Sequence, residues 1–536
     1  MGSVATGART AHRTADVAIV GYGPVGATAA NFLGMYGFDV VVVERDPSVY
    51  PRARAISTDE EVLRVWQQVG LAERLKRDML AERPIDYVDS RGRSFMSFEL
   101  RQRRNNHPPQ MFIYQPVVDE VLREGVERFP NVEVLLEHEM RDLRQDADGV
   151  LLELADVRDG APSTVRAKYV LACDGGSSHT RNLLGIGFEG RTYEDPWLVI
   201  DTKVLEPWPE VDRLRFHCDP DRPAVDCPTP LGHHRWEFPI LPGEDREALT
   251  RPASVRALLA RQGITERHVE VLRQAVYVHH VRFAEHWREG RVFLLGDAAH
   301  AMPPWIGQGM ASGVRDAGNL CWKLAGVLRG TLAEEVLDSY QVERQPNVRE
   351  LTQRAVFFGR VITERRRAAA AARNVAFRVA MRSPWIGRFL REARWWPPLF
   401  YREGFFADRR AHKAIGGHAP QPFVTTADHR EPVRLDDVLG ADWAVIGLPG
   451  TKAISPDVRQ RWAAAGARCL ELTHDAQPRP GALREEERWL EDWMRSYGAE
   501  VIVLRPDRFV YAAAAGRRPL ARPPAALCPY RRAVVV

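Results

Sequence analysis

The stretch DVAIVGYGPVGATAANFLGMYGFDVVVVE, residues 16–44, decides the fold of the first domain. Apolar runs at its two ends predict short buried strands, and the segment between them predicts a tight turn that opens into a helix. Gly21, Gly23 and Gly26 have the spacing of a dinucleotide-binding fingerprint, in which glycine lets the backbone turn sharply and approach a pyrophosphate. Glu44, at the end of the second strand, is placed to bind ribose hydroxyls. We therefore predict a strand–helix–strand unit that binds a dinucleotide.

The fingerprint leaves the identity of the dinucleotide open, because NAD and FAD both use it. A glycine-rich turn without a ligand is the alternative interpretation. The uncharged segment from Val17 to Phe38 also reaches the length of a membrane span. Its five glycines and one proline, three of these glycines belonging to the fingerprint, argue against a membrane helix.

Two later motifs extend the pattern. CDGGSSHTR, residues 173–181, follows an apolar strand, and LLGDAAHAMPPWIGQGM, residues 294–310, places Gly-Asp at the end of another. The segment after Gly309 has apolar residues at helical spacing, so a helix is expected there. A dehydrogenase with one fingerprint would need neither of the later motifs.

In this order, the three motifs resemble those of the single-component (class A) flavoprotein aromatic hydroxylases of the para-hydroxybenzoate and phenol hydroxylase type. YQVERQP, residues 340–346, is similar to the Tyr-x-x-Glu-Arg-x-Pro segment of that family. Residues 303–328 are most similar to the branch of the 3-(3-hydroxyphenyl)propionate hydroxylases. The resemblance covers residues 14–400, and residues 416–536 look like the thioredoxin-like domain of that branch. This tail lacks Cys-x-x-Cys, which argues against dithiol chemistry.

The resemblance implies an α/β fold with three parts. A Rossmann-like FAD-binding domain of the glutathione reductase type is expected from residues 14–80, 105–187 and 283–400, the last including trailing helices. A sheet-based substrate domain is expected from residues 81–104 and 188–282. A thioredoxin-like domain is expected at residues 416–536.

The resemblance also implies a reaction. NAD(P)H would bind transiently and reduce a bound FAD, which would react with O₂ to form a C4a-hydroperoxide that hydroxylates a phenolic or other aromatic substrate. The alternative is another flavin reaction on the same scaffold, by an epoxidase, an oxidase or a reductase. The sequence has no Trp-x-Trp-x-Ile-Pro stretch typical of flavin halogenases. A flavin- or ligand-binding protein without turnover is a third reading.

The resemblance and the glycine motifs together assign a set of FAD-binding residues. They are Gly21, Gly23, Pro24, Val25, Gly26, Glu44, Arg45, Arg54, Gln115, Asp174, Gly296, Asp297, Pro304, Gly307, Gln308, Gly309 and Met310. The early fingerprint holds only the ADP half of FAD. Asp297, at the end of a buried strand, is expected to accept hydrogen bonds from the ribityl hydroxyls, although a helix-capping aspartate is the alternative. The helix after Gly309 would stabilise negative charge on the reduced flavin, and the backbone of Pro304, Trp305 and Gly307 is expected near the ring.

Two of these assignments have competitors. Arg52 could serve in place of Arg54, and Gln115 could be an ordinary capping or loop residue. A base that removes the phenol proton would assist the attack, but the motifs identify none. Candidates in the substrate domain, each also compatible with a structural role, are Tyr193, Arg215, His217, His233 and His234.

Composition excludes several other classes of function. The 536 residues carry a net charge of +4, and the six lysines and 69 arginines show no clustered block, so a nucleic-acid partner is not expected. The six cysteines are scattered without zinc spacing, which predicts no metal site and a reduced, cytoplasmic protein. We expect no membrane association, and a homodimer is a candidate oligomeric state.

Overall fold

The computed structural model describes residues 11–98, 100, 104–192, 196–392, 396, 399–516 and 520–524. Its strands alternate with helices in the first third of the chain and again near the end. The strands are β1 (Ala11–Val20), β2 (Val40–Val43), β3 (Ser57–Asp59), β4 (Leu80–Ala81), β5 (Ile85–Val88), β6 (Ser94–Phe98), β7 (Gln110–Phe112), β8 (Val132–Leu135), β9 (His138–Gln145), β10 (Val150–Asp156), β11 (Pro162–Ala172), β12 (Phe188–Thr192), β13 (Trp197–Val204), β14 (Leu214–His217), β15 (Ala224–Thr229), β16 (His233–Pro239), β17 (Val269–Tyr277), β18 (His280–Ala284), β19 (Arg288–Glu289), β20 (Val292–Leu294), β21 (His300–Ala301), β22 (Phe423–Thr426), β23 (Val433–Arg434), β24 (Ala444–Gly447), β25 (Arg468–Leu472), β26 (Ala482–Glu485), β27 (Val501–Leu504) and β28 (Val510–Ala514).

The helices dominate the segment between the late glycine motif and the C-terminal sheet. They are α1 (Pro24–Met35), α2 (Glu60–Gln68), α3 (Ala72–Lys76), α4 (Gln115–Val126), α5 (His179–Leu183), α6 (Arg246–Leu249), α7 (Pro252–Ala260), α8 (Gly309–Leu328), α9 (Ser339–Thr363), α10 (Arg367–Arg382), α11 (Pro384–Arg391), α12 (Leu435–Leu439), α13 (Pro456–Ala464) and α14 (Trp489–Tyr497). Short 3₁₀ turns at Gly296–Ala298 and Pro304–Ile306 form the loop that precedes α8.

The first sheet is built on the N-terminal strands. Its order is β19-β20-β11-β1-β2-β8, with β9 and β10 extending from β11, and the pairs β1–β2, β1–β11, β2–β8 and β11–β20 are parallel. Continuous apolar runs such as Val40–Val43 are buried on both faces, as expected for a parallel sheet covered on two sides. Helices α1 and α8 pack on one face and belong to the same core as β1 and β2.

The second sheet has the order β17-β13-β16-β15-β14-β5-β6 and uses the chain between β4 and β18. Successive side chains along each strand point to opposite faces of the sheet. One face packs on α7 through residues such as Trp236 and Phe238. The other face carries aromatic side chains that include Tyr87 and Phe216. This second face is directed toward the loop before α8, where Trp305 packs against Trp197 at 4.8 Å between ring centroids.

The third sheet, β23-β22-β26-β25-β24-β27-β28, forms a separate C-terminal layer with its own core. Buried ion pairs attach it to the rest of the chain. Arg64 of α2 makes two hydrogen bonds of 2.8 Å to Asp436 of α12, and Arg505 contacts Glu343 of α9 at 2.7 Å. All four side chains are 2% exposed or less.

The α/β class is confirmed. The apolar segment from Val17 to Phe38 forms part of β1, the fingerprint turn and α1 rather than one long helix. Among the described residues, no helix is both long enough and apolar enough to cross a bilayer. The thioredoxin-like assignment of the tail stays a prediction.

Candidate active site

One cavity brings together residues from all three motifs and from the second sheet. The predicted site residues that line it are Gly23, Pro24, Val25, Arg54, Gln115, Gly296, Asp297, Pro304, Trp305, Gly307, Gln308, Gly309 and Met310. The mid-chain motif contributes Cys173 and Gly175 to the same wall. Motifs up to about 275 residues apart in sequence therefore face one space, because β1, β11 and β20 are neighbouring parallel strands that end at the same edge.

The start of α1 forms one end of this cavity. Gly21 has a φ of +97°, and a Cβ there would lie 2.5 Å from the Cys173 carbonyl oxygen. A Cβ on Gly26 would overlap the carbonyl of Gly21. At Gly23, by contrast, a Cβ would meet no atom within 4 Å. Gly21 and Gly26 thus pack the turn, whereas Gly23 opens space in front of the first amides of a helix that begins without a side-chain cap.

The start of α8 forms the second helix terminus at the cavity. Gly307 adopts the left-handed conformation with a φ of +65°, and a Cβ there would overlap the Ser57 hydroxyl. Gln308 precedes the helix but does not cap it with its side chain. That side chain is 4% exposed and is held by Asp59 and Arg315, at 3.0 and 2.9 Å. The buried network fixes the loop, and the uncapped first residues of α8 line the cavity.

The two helix starts touch each other behind the cavity. Val25 of α1 lies between Gly296 and Gly313, where added Cβ atoms would come within 3.1 and 2.5 Å of its Cγ2. These glycines allow α1 and α8 to converge, which places two uncapped helix N-termini on one ligand-sized space.

Asp297 of the late motif and Asp316 of α8 differ in their surroundings. Asp316 is fully buried and accepts hydrogen bonds from His300, Arg344 and the Gly296 amide, at 2.7, 2.8 and 3.1 Å. Burial alone would raise the pKa of Asp316, but His300 and Arg344 hold it below its usual range. Asp297 is exposed, lines the cavity and makes no hydrogen bond or ion pair to any described residue. Asp316 therefore shapes the loop, and Asp297 is available to a ligand.

Gln115 organises the loop that carries Arg54. Its Oε1 accepts hydrogen bonds from the backbone amides of Arg54 and Ala55, at 3.0 and 2.8 Å. The Arg54 side chain is exposed and lines the cavity, and its competitor Arg52 does not. Gln115 thus acts on this wall through the loop backbone while also facing the cavity itself.

The other predicted residues stand behind or beside the cavity. Glu44 accepts hydrogen bonds from the amides of Tyr22 and Asp46, at 2.7 and 3.0 Å, and Arg45 is exposed. Asp174 accepts hydrogen bonds from the Ser178 hydroxyl and the Thr180 amide, at 2.6 and 2.9 Å, and so organises the start of α5. Their roles toward FAD stay predictions.

The far half of the cavity is the aromatic face of the second sheet. The side chains that form it are Ile85, Tyr87, Phe98, Phe112, Leu214, Phe216 and Val225, together with Glu237. Pro304, Trp305 and Ile306 close the opposite wall. This half is apolar and suits a flat ring, with a single carboxylate among the side chains of the sheet face.

The substrate-domain candidates from the sequence lie elsewhere. Arg215, His217 and His234 all contact Asp226, at 2.9, 2.5 and 3.1 Å, on the sheet face that packs toward α7. His233 packs against the Tyr114 ring at 4.7 Å between centroids. Tyr193 lies outside the described residues. None of these four described side chains lines the cavity.

Sequence reasoning missed Glu237. The signal was present in RWEFPI, where Arg235 and Glu237 alternate with apolar Trp236 and Phe238. Such alternation predicts a strand with two different faces.

The cavity fits FAD on its own geometry. Its lining includes the uncapped starts of α1 and α8, it has open space at Gly23, and it is lined by Asp297, which has no partner among the described residues. The amides of α1 would hold the pyrophosphate, Asp297 the ribityl hydroxyls, and the amides of α8 the electron-rich edge of the flavin.

Known proteins share these features. Residues 14–355 match the family described as FAD binding domain, and residues 416–526 match the one described as HcaD C-terminal domain. A 3-(3-hydroxy-phenyl)propionate/3-hydroxycinnamic acid hydroxylase from Klebsiella pneumoniae (strain 342) is 38% identical over 513 residues, covering 94% of this chain and 92% of its own. A protein of the same name from Burkholderia cenocepacia (strain HI2424) is 36% identical over 515 residues, 93% of each chain.

The fold is also similar to a solved structure. The flavin-dependent monooxygenase PieE, crystallised with FAD and substrate, superposes with a TM-score of 0.77 at 22% sequence identity, over 95% of this chain and 96% of its own. Together with the sequence matches, this confirms the resemblance that the motifs indicated.

Proposed function

This chain belongs to the family of FAD-dependent aromatic hydroxylases, and we propose that it hydroxylates a phenol whose ring lies between the aromatic sheet face and the loop before α8. FAD is its bound cofactor and NAD(P)H its reductant, and O₂ supplies the oxygen atom. The observation that carries the proposal is the continuity of one cavity from the start of α1, past Asp297, to the side chains around Phe216.

Bound FAD supplies the redox chemistry that activates O₂. The chain's own residues position the reactants and exclude water. Pro303 and Pro304 stiffen the loop, and Trp305 packs edge-on against Trp197 and close to Gly359, so the wall next to the ring is apolar and fixed. The buried pairing of Asp316 with Arg344 holds the same loop from behind.

The substrate class follows from the lining of the far half. Aromatic side chains such as Tyr87, Phe98 and Phe216 offer faces and edges to a planar ring. The curated relatives are named for 3-(3-hydroxyphenyl)propionate and 3-hydroxycinnamic acid, which makes the hydroxyphenylpropanoids the first class to test.

The test is a substrate screen on the FAD-loaded protein. Oxidation of NADH and of NADPH is followed with 3-(3-hydroxyphenyl)propanoate, 3-hydroxycinnamate, 3-ethylphenol and polycyclic phenols, and products are weighed by mass spectrometry. We expect one phenol class to accelerate oxidation of one nucleotide, with a product heavier by one oxygen. 3-Ethylphenol is the matched probe that lacks the carboxylate.

Three outcomes would contradict the proposal. They are a colourless protein that cannot be reconstituted with FAD, nucleotide oxidation that no phenol accelerates, and acceleration that yields only hydrogen peroxide with every phenol. The last result would favour an oxidase.

We also propose a homodimer formed through the helices that follow α9. Val375, Val379, Trp385, Ile386 and Phe389 of α10 and α11 are exposed, with Trp385 reaching 86%. Several large apolar side chains exposed on two consecutive helices are typical of a protein interface. Sedimentation of the wild-type protein and of Trp385→Asp tests it, and a monomeric wild type would rule it out.

A further inference from the structure

Glu237 is the one carboxylate that the second sheet directs into the aromatic half of the cavity, among the described residues that line it. It lies on β16 directly opposite Val225 of β15, and Val225 is opposite Phe216 of β14. Phe216 is in turn opposite Tyr87 of β5. Side chains at paired positions share a face of the sheet, so Glu237 stands at the edge of the aromatic surface on which the ring would lie.

The Glu237 carboxylate has no hydrogen-bond or ion-pair partner among the residues that the structure describes. The nearest cation on its strand, Arg235, is committed elsewhere. Its Nε donates to Asp201 at 2.7 Å, and its two terminal nitrogens donate to the carbonyls of Arg54 and Ala53, at 3.1 and 2.6 Å. An acid without a partner on the wall of an apolar cavity is costly unless a ligand supplies the hydrogen bond.

The other ionisable groups around this space cannot take its place. Those that line the cavity are Arg54, Asp59, Tyr87, Cys173 and Asp297, and those that act on Glu237 through its own sheet are Arg235 and Asp201. Asp59 already accepts hydrogen bonds from Gln308 and Arg315, and Asp297 stands at the other end, between the two helix starts. Burial raises the pKa of Tyr87 well above its usual range, so its phenol stays protonated and cannot take a proton from a substrate.

The ionisation of Glu237 is itself perturbed. Burial raises the pKa of its carboxyl, Arg235 opposes that shift and Asp201 adds to it. A carboxylate with a raised pKa is a stronger base than a surface glutamate, which suits a group that accepts a proton from a weak acid.

We propose that Glu237 accepts a hydrogen bond from the phenolic hydroxyl of the substrate and takes its proton as the ring is attacked. This inference rests on the proposed phenol hydroxylation. The class of substrate is thereby narrowed to rings that carry a free hydroxyl at the end of the cavity next to β16, since a methyl ether or a carboxylate there would leave the acid unpaired or repelled.

The step balances without any further reagent. The phenol O–H bond breaks, its proton moves to a Glu237 oxygen, and the electron pair increases the electron density at the ring carbons ortho and para to the oxygen. A new C–O bond forms at one of them with an oxygen atom from O₂, and the ring C–H proton leaves as aromaticity returns. The second oxygen atom leaves as water, with two electrons supplied by the hydride of NAD(P)H and one further proton supplied by solvent. Glu237 returns its proton to the substrate oxygen as aromaticity returns, which restores the carboxylate.

The test uses four variants of the FAD-loaded protein, three at Glu237 and one at a control position. Glu237→Gln keeps the size and a hydrogen-bond acceptor but cannot take a proton, and Glu237→Asp restores the carboxylate. Glu270→Gln, an exposed glutamate on β17 of the same sheet, is the matched control. FAD content and thermal midpoint are measured first, and they should not fall in any variant, because Glu237 has no described partner to lose.

We expect Glu237→Gln to lower product formation per second by about 100-fold or more, while KM changes little and NAD(P)H oxidation becomes uncoupled to peroxide. The wild-type rate should rise with pH as Glu237 ionises, and that limb should disappear in Glu237→Gln but persist in Glu237→Asp. Independently of turnover, oxidised wild type should bind 4-nitrophenol more tightly than 4-nitroanisole, as judged by the flavin difference spectrum. Glu237→Leu should lose that preference.

The results separate the two proposals. If wild type hydroxylates no phenol, the proposed function fails, whatever the variants do. If wild type hydroxylates a phenol and Glu237→Gln keeps its rate within about threefold with the same pH limb, Glu237 is not the proton acceptor. Loss of FAD or of thermal stability in both Glu237→Gln and Glu237→Asp would also overturn the assignment, since it would reveal a structural role.

Discussion

Asp226 and Glu237 lie on neighbouring strands of one sheet, and their side chains lie on opposite faces of it. Asp226 points toward α7 and is completely buried, with Arg215, His217 and His234 all in contact with it. Burial by itself would raise its pKa, but the two histidines hold that pKa below the usual range. Glu237 points the other way, into the cavity, and burial without a partner raises its pKa.

The same contrast recurs between Asp316 of α8 and Asp297 of the loop that precedes it. Asp316 is buried and paired with His300 and Arg344, whereas Asp297 faces the cavity without a described partner. These acidic side chains therefore fall into two groups. A carboxylate whose hydrogen bonds are satisfied by protein stabilises the fold, and one that is left unsatisfied at the cavity is kept for a ligand.

Replacing Asp226 should produce the largest loss of stability. Asp226→Ala leaves Arg215, His217 and His234 facing one another in a buried site, and removal of one partner from a buried ionic cluster costs about 3–5 kcal/mol. Thermal unfolding of the FAD-loaded protein measures the effect. An undiminished thermal midpoint would show that the cluster is not part of the stabilising core.

Acid should weaken the same cluster in the wild type. Because the folded pKa of Asp226 is depressed, its contribution is present above the unfolded value of about 3.9 and is lost as pH falls through the folded value. The Asp226→Ala protein should lack that part of the acid transition.

Much of the fold could be predicted from local sequence. The turn at Gly21 requires a residue that tolerates a left-handed backbone conformation, and the close contact of Gly26 with the Gly21 carbonyl leaves no room for a Cβ. The glycine pattern alone therefore predicts the geometry of this turn. Gly307 is readable in the same way. The family resemblance predicted that these motifs meet at one cavity. The spacing of the motifs along the chain could not, because it does not determine which strands are neighbours in the sheet.

The sequence predicts less about the substrate half of the site than about the cofactor half. Alternation in RWEFPI shows that Arg235 and Glu237 share one face and Trp236 and Phe238 the other. It does not show which face α7 covers, because that depends on packing between distant segments. Residue type alone made His217 and His234 candidates for the base, but both face away from the cavity and contact Asp226.

Replacing Asp297 should have a smaller effect on a different quantity. Asp297→Ala removes an acceptor of ligand hydrogen bonds, and hydrogen bonds to charged groups contribute about 1.5–3 kcal/mol, so the Kd for FAD should rise roughly 10- to 150-fold. Flavin fluorescence titration of the apoprotein measures it. Thermal stability of the apoprotein should stay within about 0.5 kcal/mol of wild type, as for other surface changes. Unchanged FAD affinity would contradict the assignment of Asp297 to the cofactor.

We expect the smallest effect for the change in stability caused by Glu237→Gln. The sign of this change is informative. Because the folded pKa of Glu237 is raised, the unfolded chain releases this proton at lower pH than the folded chain. Wild-type stability should therefore fall as pH rises from the unfolded value of about 4.3 through the folded value. Glutamine has no proton to lose, so the thermal midpoint of Glu237→Gln should match wild type at about pH 4 and exceed it at about pH 8. The opposite sign would mean that Glu237, like Asp226, has a stabilising partner in the protein, and the two faces of the sheet would no longer differ.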